Sequence, residues 1–411
     1  MIYINFPKIE ELENTARLSS VISIDGQEQS IWFEVDKKNK KYLEDRVIDA
    51  FIVGMLPFAM RNKHNIHSDA YISEELLFNL DTYLFPVFST ECVNSYLAQI
   101  KAPTLSYQNN AKGVGTGVSG GVDSSDVIVE AIKQGKKYPS TNLTHLMYFM
   151  HDNKEIVPGE GETPKFRQEQ ADKEYNIVHN IAQELKLPII TISSNIYNIS
   201  GVSEVLAHTY HGNANVFALA KLFKTYFYAS AHHLNVFNIK KGFYNDSEYA
   251  NLFILQMLST SNLRFYFGGI SRSRLEKTKI ISKEKWVQKY MNVCFPAKNT
   301  SCGVNCRIGK CMRTMWDLEV LGKLNNFNSI FDIDEFRKNK RKSIFWLYRK
   351  KAKKDLFSLE AWEKARQQNI ISNLDILIAG YTLIFKKALR LVSRIIPIKK
   401  LRRAIRAYSK N

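Results

Sequence analysis

The sequence predicts an α/β fold: a parallel-sheet domain preceded by a small α+β domain and followed by a basic helical C-terminus. Three observations carry this. From Gly113 onward, apolar strand-like runs alternate with helix-like segments. A diglycine turn, Ser119-Gly120-Gly121-Val122-Asp123-Ser124-Ser125, joins the first such strand to the first such helix. The basic charge is confined to the last part of the chain. Its 411 residues, 45% hydrophobic and 12% aromatic, suit two or three ordered domains with ample core.

In chain order, residues 1–105 read as the first domain. Met1–Phe6, Leu18–Ile24 and Gln29–Val35 have strand character, with Asp25-Gly26 as a hairpin turn. Tyr42–Met60 and Ser73–Phe85 read as helices, the second capped by Ser73 and followed by Glu74 and Glu75. No chemistry is evident here, and a scaffold or lid is the expected role. No leader peptide is visible after Met1, and the best apolar runs, Phe51–Met60 and Ile376–Phe385, are too short to span a bilayer. A cytoplasmic protein is therefore expected.

Residues 106–335 form the expected second domain. Gly113, Gly115 and Gly117 interrupt Val114 and Val118, a poor strand by composition, and Ser124–Lys133 follows as a helix. Leu143–Met150 reads as a strand, Asp152–Arg167 as a loop, Gln168–Leu185 as a helix and Ile189–Ile192 as a strand. In a parallel sheet of this kind ligands sit beyond the strand C-terminal ends, so Ser119–Ser125, Met150–Asp152 and Ser193–Asn195 are expected to converge.

The diglycine turn has the chemistry of a pyrophosphate cradle. Two glycines let the backbone approach phosphate oxygens, and the helix that follows adds its positive end. Ser119, Ser124 and Ser125 supply hydroxyls, and Asp123 can hold Mg²⁺ against the phosphates. The turn has no Lys followed by Ser or Thr in P-loop spacing, which excludes that class of site.

The wording Ser119-Gly120-Gly121-Val122-Asp123-Ser124 resembles the PP-loop ATP pyrophosphatases, whose fold is of the adenine nucleotide alpha hydrolase (HUP-like) type. In pattern the chain is most similar to 7-cyano-7-deazaguanine synthase and the synthetase domain of asparagine synthetase. The resemblance covers roughly Gly113–Asp334. It implies that Mg²⁺-ATP is split between its α- and β-phosphates. A substrate oxygen would be adenylylated, pyrophosphate would leave into Ser119–Ser125, and a nitrogen nucleophile would then displace AMP. Ser119 and Asp123 would carry the chemistry, with Gly120, Gly121, Val122, Ser124 and Ser125 holding nucleotide. The acceptor would be a small molecule or a glycan precursor. Asparagine synthetase carries an N-terminal cysteine glutaminase. Here the chain begins Met1-Ile2 and Cys92 is no match, so ammonia would come from solution or a partner.

Further residues attach to this reading. Gly212-Asn213, followed by Phe217, resembles the nucleotide-adjacent Gly-Arg-Asn segment of the deazaguanine enzyme, with Asn213 carried over and the arginine not. His208 and His211 share a helical face, as general base, metal ligand or hydrogen-bonded structural residues. Arg272, Arg274 and Lys277 follow Gly268-Gly269, either to neutralise phosphate or as a solvated basic helix start. Cys294, Cys302, Cys306 and Cys311 fall within eighteen residues beside Gly303 and Gly309. Reduced in a cytoplasmic protein, they suit a closed, structural Zn²⁺ site, and buried free thiols are the alternative. The deazaguanine enzyme has such a site, with its last three cysteines closer together.

The formal net charge is +18, yet Arg337–Lys354 and Tyr381–Asn411 each hold ten Lys or Arg and no acid. The rest of the chain is therefore near −2. Residues 336–411 form the third expected segment. Ile384, Ala388, Leu391 and Ile395 share one helical face and Lys386, Arg390 and Arg394 another, up to Pro397. Leu401, Ile405 and Tyr408 repeat the pattern beside Arg402, Arg403 and Arg406. Such a helix suits peripheral attachment to the anionic inner face of a cell membrane. Nucleic acid is the rival partner, disfavoured by the lack of interleaved aromatics. Packing on the core is the third reading. Two other functions stay open: a tRNA-modifying PP-loop enzyme, and a non-catalytic nucleotide-binding protein tethered to a membrane complex.

Overall fold

The computed structural model describes residues 1–151, 164–293, 309–395 and 398–410. The chain divides into two compact units, Met1–Lys277 and Thr278–Asn411. All described strands belong to the first, which is α/β with a large central sheet flanked by helices.

The strands are β1 (Ile2–Ile4), β2 (Lys8–Glu11), β3 (Thr15–Ile24), β4 (Gln27–Asp36), β5 (Ile66–Ser68), β6 (Ile72–Ser73) and β7 (Ile100–Lys101). They continue as β8 (Thr104–Leu105), β9 (Gly113–Gly117), β10 (His145–His151), β11 (Ile189–Ser194), β12 (Phe223–Ala229) and β13 (Arg264–Gly268). Eleven of them make one sheet in the order β13-β12-β9-β10-β11-β4-β3-β1-β5-β7, with β2 on β3; β6 and β8 pair separately. From β13 to β11 all neighbours are parallel, and β4 then joins β11 antiparallel. Strands from residues 1–105 and from the following region thus share one sheet.

β3 and β4 pair antiparallel over their full ten residues, joined by Asp25 (φ 50°) and Gly26 (φ 89°), the two left-handed positions of a tight hairpin. The helix expected over Tyr42–Met60 begins only at Asp49 and runs to Asn62. Before it, Glu44 and Ile48 give their amides to the Ala218 and Tyr71 carbonyls (2.9 and 2.8 Å), so tertiary partners replace the helical ones. Ser73 does precede the helix Glu74–Asn79, but makes no capping bond. Its hydroxyl donates instead to buried Asp49, whose carboxyl burial pushes up to about 6. The expected single helix continues through a widened turn, Leu80–Leu84, into Phe85–Glu91.

β9, poor by composition, is the middle strand of the parallel block. Its glycines are there for closeness of approach. A Cβ on Gly113 would lie 2.6 Å from the Leu222 carbonyl oxygen, and one on Gly115 2.5 Å from the buried Phe223 ring. Gly115→Ala is therefore expected to destabilise the protein by about 1–3 kcal/mol through overpacking. Chemical denaturation followed by tryptophan fluorescence measures this, and an unchanged midpoint would show that the ring moves aside freely.

The helix after β10 begins at Pro164, earlier than the expected Gln168, and runs to Leu185; residues 152–163 of the expected loop lie outside the described residues. The second unit is helical among its described residues. The buried Trp316 of helix Lys310–Val320 donates from its indole nitrogen to the Ser343 carbonyl (3.2 Å), fastening it to helix Lys340–Ala352. Helices Leu356–Gln367, Asn373–Ile395 and Lys399–Lys410 follow. No described helix is long and apolar enough to cross a membrane.

Candidate functional site at the strand ends

In the parallel block the chain runs from β9 outward to β10 and β11, then returns to place β12 and β13 on the other side of β9. Connections leave β9 and β12 in opposite directions, which opens a crevice beyond their C-terminal ends. Three such ends deliver the site: Val118–Gly121 after β9, Ser230 after β12, and Gly269–Ser273 after β13.

The diglycine turn is built for its place. Gly120 has φ +73°, a conformation that side-chain-bearing residues rarely adopt, and Gly121 is the N-cap of helix Val122–Gly135. The Ser119 and Ser124 hydroxyls lie 2.9 Å apart, and the Gly121 amide donates weakly to Ser119 Oγ (3.3 Å). The first amides of the helix have no intrahelical partner. Ser125 Oγ is buried without a hydrogen-bond partner among the described residues, an unpaired polar atom inside the turn.

Asp123 stands in the first turn of this helix and meets two cations from the chain after β13. Arg274 Nη1 donates to its Oδ2 at 2.7 Å, and Lys277 Nζ lies 3.5 Å from its Oδ1. Lys277 is fully buried, and its ammonium also donates to the Ser230 carbonyl and to Ser230 Oγ (3.1 Å). The turn, β12 and β13 are thus tied together by one lysine.

Arg272 has a different task from the phosphate role open to it by sequence. Its guanidinium holds buried Asp126, with Nε 3.1 Å from both carboxylate oxygens and Nη2 2.7 Å from Oδ2. Burial pushes the Asp126 carboxyl up, and the arginine opposes it.

A second polar group adjoins the first. His208 Nδ1 lies 3.0 Å from Tyr228 Oη, and His208 Nε2 lies 3.0 Å from Asp246 Oδ1. Glu248 accepts from the Ala231 and His232 amides, just past β12. One ligand-type atom from each of His208, Asp246 and Glu248 lies within 4.8 Å of the other two. Burial pushes Glu248 up to about 7; His208 lowers it, while the charge of nearby Asp123 adds to the rise. For His208, burial works against the charged form, but the Asp246 hydrogen bond and the charges of Glu248, Asp246 and Glu204 leave its pKa raised.

Both shifts have the same sign for stability. Glu248 binds a proton more tightly folded than unfolded, so its contribution falls as pH rises from about 4.5 through about 7. His208 contributes fully below 6.5 and less as pH rises through its raised folded value. Glu248→Gln keeps an acceptor for the two amides and removes the titration. Its melting temperature is expected to decline less than the wild type's between pH 5 and pH 8. Parallel declines in thermal melts would refute the coupling.

Asn213, expected at the nucleotide, is fully buried in helix Glu204–Phe217, and its amide nitrogen donates to the Thr209 carbonyl of the same helix (2.6 Å). His211 is also buried, with its ring edge-on to Tyr197 at 4.3 Å. Asn195 gives both ends of its amide to β4, accepting from the Trp32 amide (2.9 Å) and donating to the Ser30 carbonyl (2.7 Å). Of the Ser193–Asn195 segment, Asn195 therefore fastens the antiparallel extension of the sheet. Asp152 and three of the four expected zinc ligands, Cys294, Cys302 and Cys306, lie outside the described residues. Cys311 is buried in helix Lys310–Val320.

Sequence reasoning did not single out Asp126, Tyr228, Ser230, Asp246 or Glu248. Asp246 and Glu248 stand 38 and 40 positions from His208, without a spacing that links them, and only the return of the chain past β12 joins them. The chain matches no family model, no curated protein and no solved structure.

Proposed function

We propose that the protein is an ATP-dependent synthetase of the PP-loop pyrophosphatase kind, cleaving ATP between its α- and β-phosphates to adenylylate an acceptor oxygen. One observation carries this reading: the Ser119–Ser125 turn, Arg274 and Lys277 meet at the C-terminal strand ends, where β9 and β12 diverge. A pyrophosphate leaving group gathers negative charge as it departs. Helix-start amides, serine hydroxyls and two cations fixed around one spot stabilise that charge without reorganising. Asp123 pairs with both cations and fixes their positions beside the turn.

The donor set fits Mg²⁺ in the manner usual for nucleotide enzymes, with one or two carboxylates beside substrate phosphates. Asp123 is the carboxylate in the turn; its buried Oδ1 accepts no hydrogen bond and has the Lys277 ammonium beside it at 3.5 Å. Mg²⁺ would supply charge neutralisation on the phosphates. The adjoining Glu248, its carboxyl pushed up to about 7 by burial, would take a proton from a nitrogen nucleophile, with His208 beside it. The acceptor would be a small molecule or glycan precursor, with ammonia from solution or a partner.

The test incubates the full chain with Mg²⁺ and ATP labelled on the α-phosphate, against a panel of carboxylate- and amide-bearing metabolites with ammonia. Acceptor-dependent release of labelled AMP and pyrophosphate in equal amounts is expected. Release of ADP and phosphate would assign the chain to another class of nucleotide chemistry.

A further inference from the structure

Helix Asn373–Ile395 has one face packed within the helical unit and, among the described residues, an apolar face left exposed. On the inner side Ala379 and Ser393 are buried, Gly380 approaches the Tyr348 hydroxyl, and Lys386 Nζ lies 4.8 Å over the Phe345 ring. These contacts seat it on helix Lys340–Ala352. On the outer side, Leu377, Tyr381, Ile384, Leu391, Val392 and Ile395 fall within an arc of about 100° at 3.6 residues per turn. Leu377 is 71% exposed, Tyr381 72%, Ile384 68% and Ile395 82%. Beyond the helix, Ile398 and Leu401 are exposed as well.

A soluble chain does not leave such a stripe in water without a use for it. Its neighbours say what covers it. Tyr381–Asn411 carries ten Lys or Arg and no acid; exposed Lys387 and Arg394 flank one edge of the stripe, and exposed Arg390 lies farther round the helix. A second copy of the chain would bring two such charged segments together, and their repulsion opposes that pairing. An anionic lipid surface satisfies both features at once: acyl chains take the apolar side chains and headgroup phosphates take the cations. The helix is too polar to span, and its geometry suits lying in the interface.

We propose that helices Asn373–Ile395 and Lys399–Lys410 form a docking surface for an anionic membrane, with Leu377, Ile384, Leu391 and Ile395 entering the headgroup–acyl boundary. This does not depend on the ATP reading, because it rests on the helical unit alone.

The experiment is vesicle cosedimentation of the full chain, with phosphatidylcholine vesicles and with vesicles containing phosphatidylglycerol, at low and high salt. Binding is expected to anionic vesicles, to fall as salt rises, and to be weak on neutral ones. Two variants separate the terms: Ile384→Ser with Leu391→Ser and Ile395→Ser for the apolar face, and Lys387→Gln with Arg390→Gln and Arg394→Gln for the charge. All six positions are exposed, so folding should persist, and circular dichroism checks it. Each triple variant is expected to lower the vesicle partition coefficient about tenfold or more. No pelleting of the wild type, or equal pelleting of the apolar-face variant, overturns the proposal. So does oligomerisation without vesicles that the apolar-face variant abolishes, which would make the surface a self-contact. Salt-sensitive binding to single-stranded RNA that outcompetes the vesicles overturns it in favour of nucleic acid.

Discussion

Asp123→Asn is expected to lower pyrophosphate release from ATP by about 100-fold or more, the usual scale for removing one preorganised electrostatic group. Asparagine nearly matches the shape of aspartate, so the turn and the helix start should remain. The charge balance does not. Arg274 and Lys277 would face a neutral amide, and the cation-rich pocket should bind the nucleotide polyphosphate as well as before or better. The two effects separate in measurement. ATP affinity, by calorimetry without acceptor, is expected to hold, while Mg²⁺-dependent turnover collapses. A variant with wild-type turnover would remove Asp123 from the chemistry. A variant that lost ATP binding along with its thermal stability would make Asp123 structural.

Lys277→Met tests the opposite partner. Methionine keeps much of the apolar stem and deletes the ammonium from a fully buried position. The Ser230 carbonyl and hydroxyl then lose their donor, and Asp123 keeps Arg274 alone. Losing the partner of buried polar groups costs about 1–3 kcal/mol, so a lower melting temperature is expected. Because Lys277 joins the turn to β12, the KM for ATP is also expected to rise, by about tenfold or more, on losing a charge-assisted contact. Steady-state kinetics well below the melting transition isolate this term. An unchanged KM together with a lowered melting temperature would restrict Lys277 to a structural tie.

Much of this protein could be read from local pattern. The α/β class followed from alternation, because a strand and a helix bury apolar residues at different periods. The Asp25-Gly26 hairpin was legible because few residues accept the two left-handed conformations it uses. The diglycine turn was legible for the same reason: Gly120 takes a positive φ that the turn requires, and a helix start follows directly. The amphipathic C-terminal helices were also legible, since helical periodicity needs only the order of residues.

What the order of residues could not decide was what each element meets. The glycines of β9 looked like interruptions, and they proved to be the spaces that the Leu222 carbonyl and Phe223 ring require. Ser73 had the position of a cap, but a buried aspartate took its hydroxyl. Arg272, Arg274 and Lys277 looked alike in sequence; distance alone assigned the first to Asp126 and the other two to Asp123. The His208, Asp246 and Glu248 group exists only because β12 returns beside β9 and carries the following loop past helix Glu204–Phe217. Likewise, an apolar helical stripe reads the same whether it is packed or bare. The sequence determined that helix Asn373–Ile395 is amphipathic, and packing decided that its outer face is left open. Local conformation depends on neighbours in the chain, whereas burial, charge pairing and exposure depend on neighbours in space.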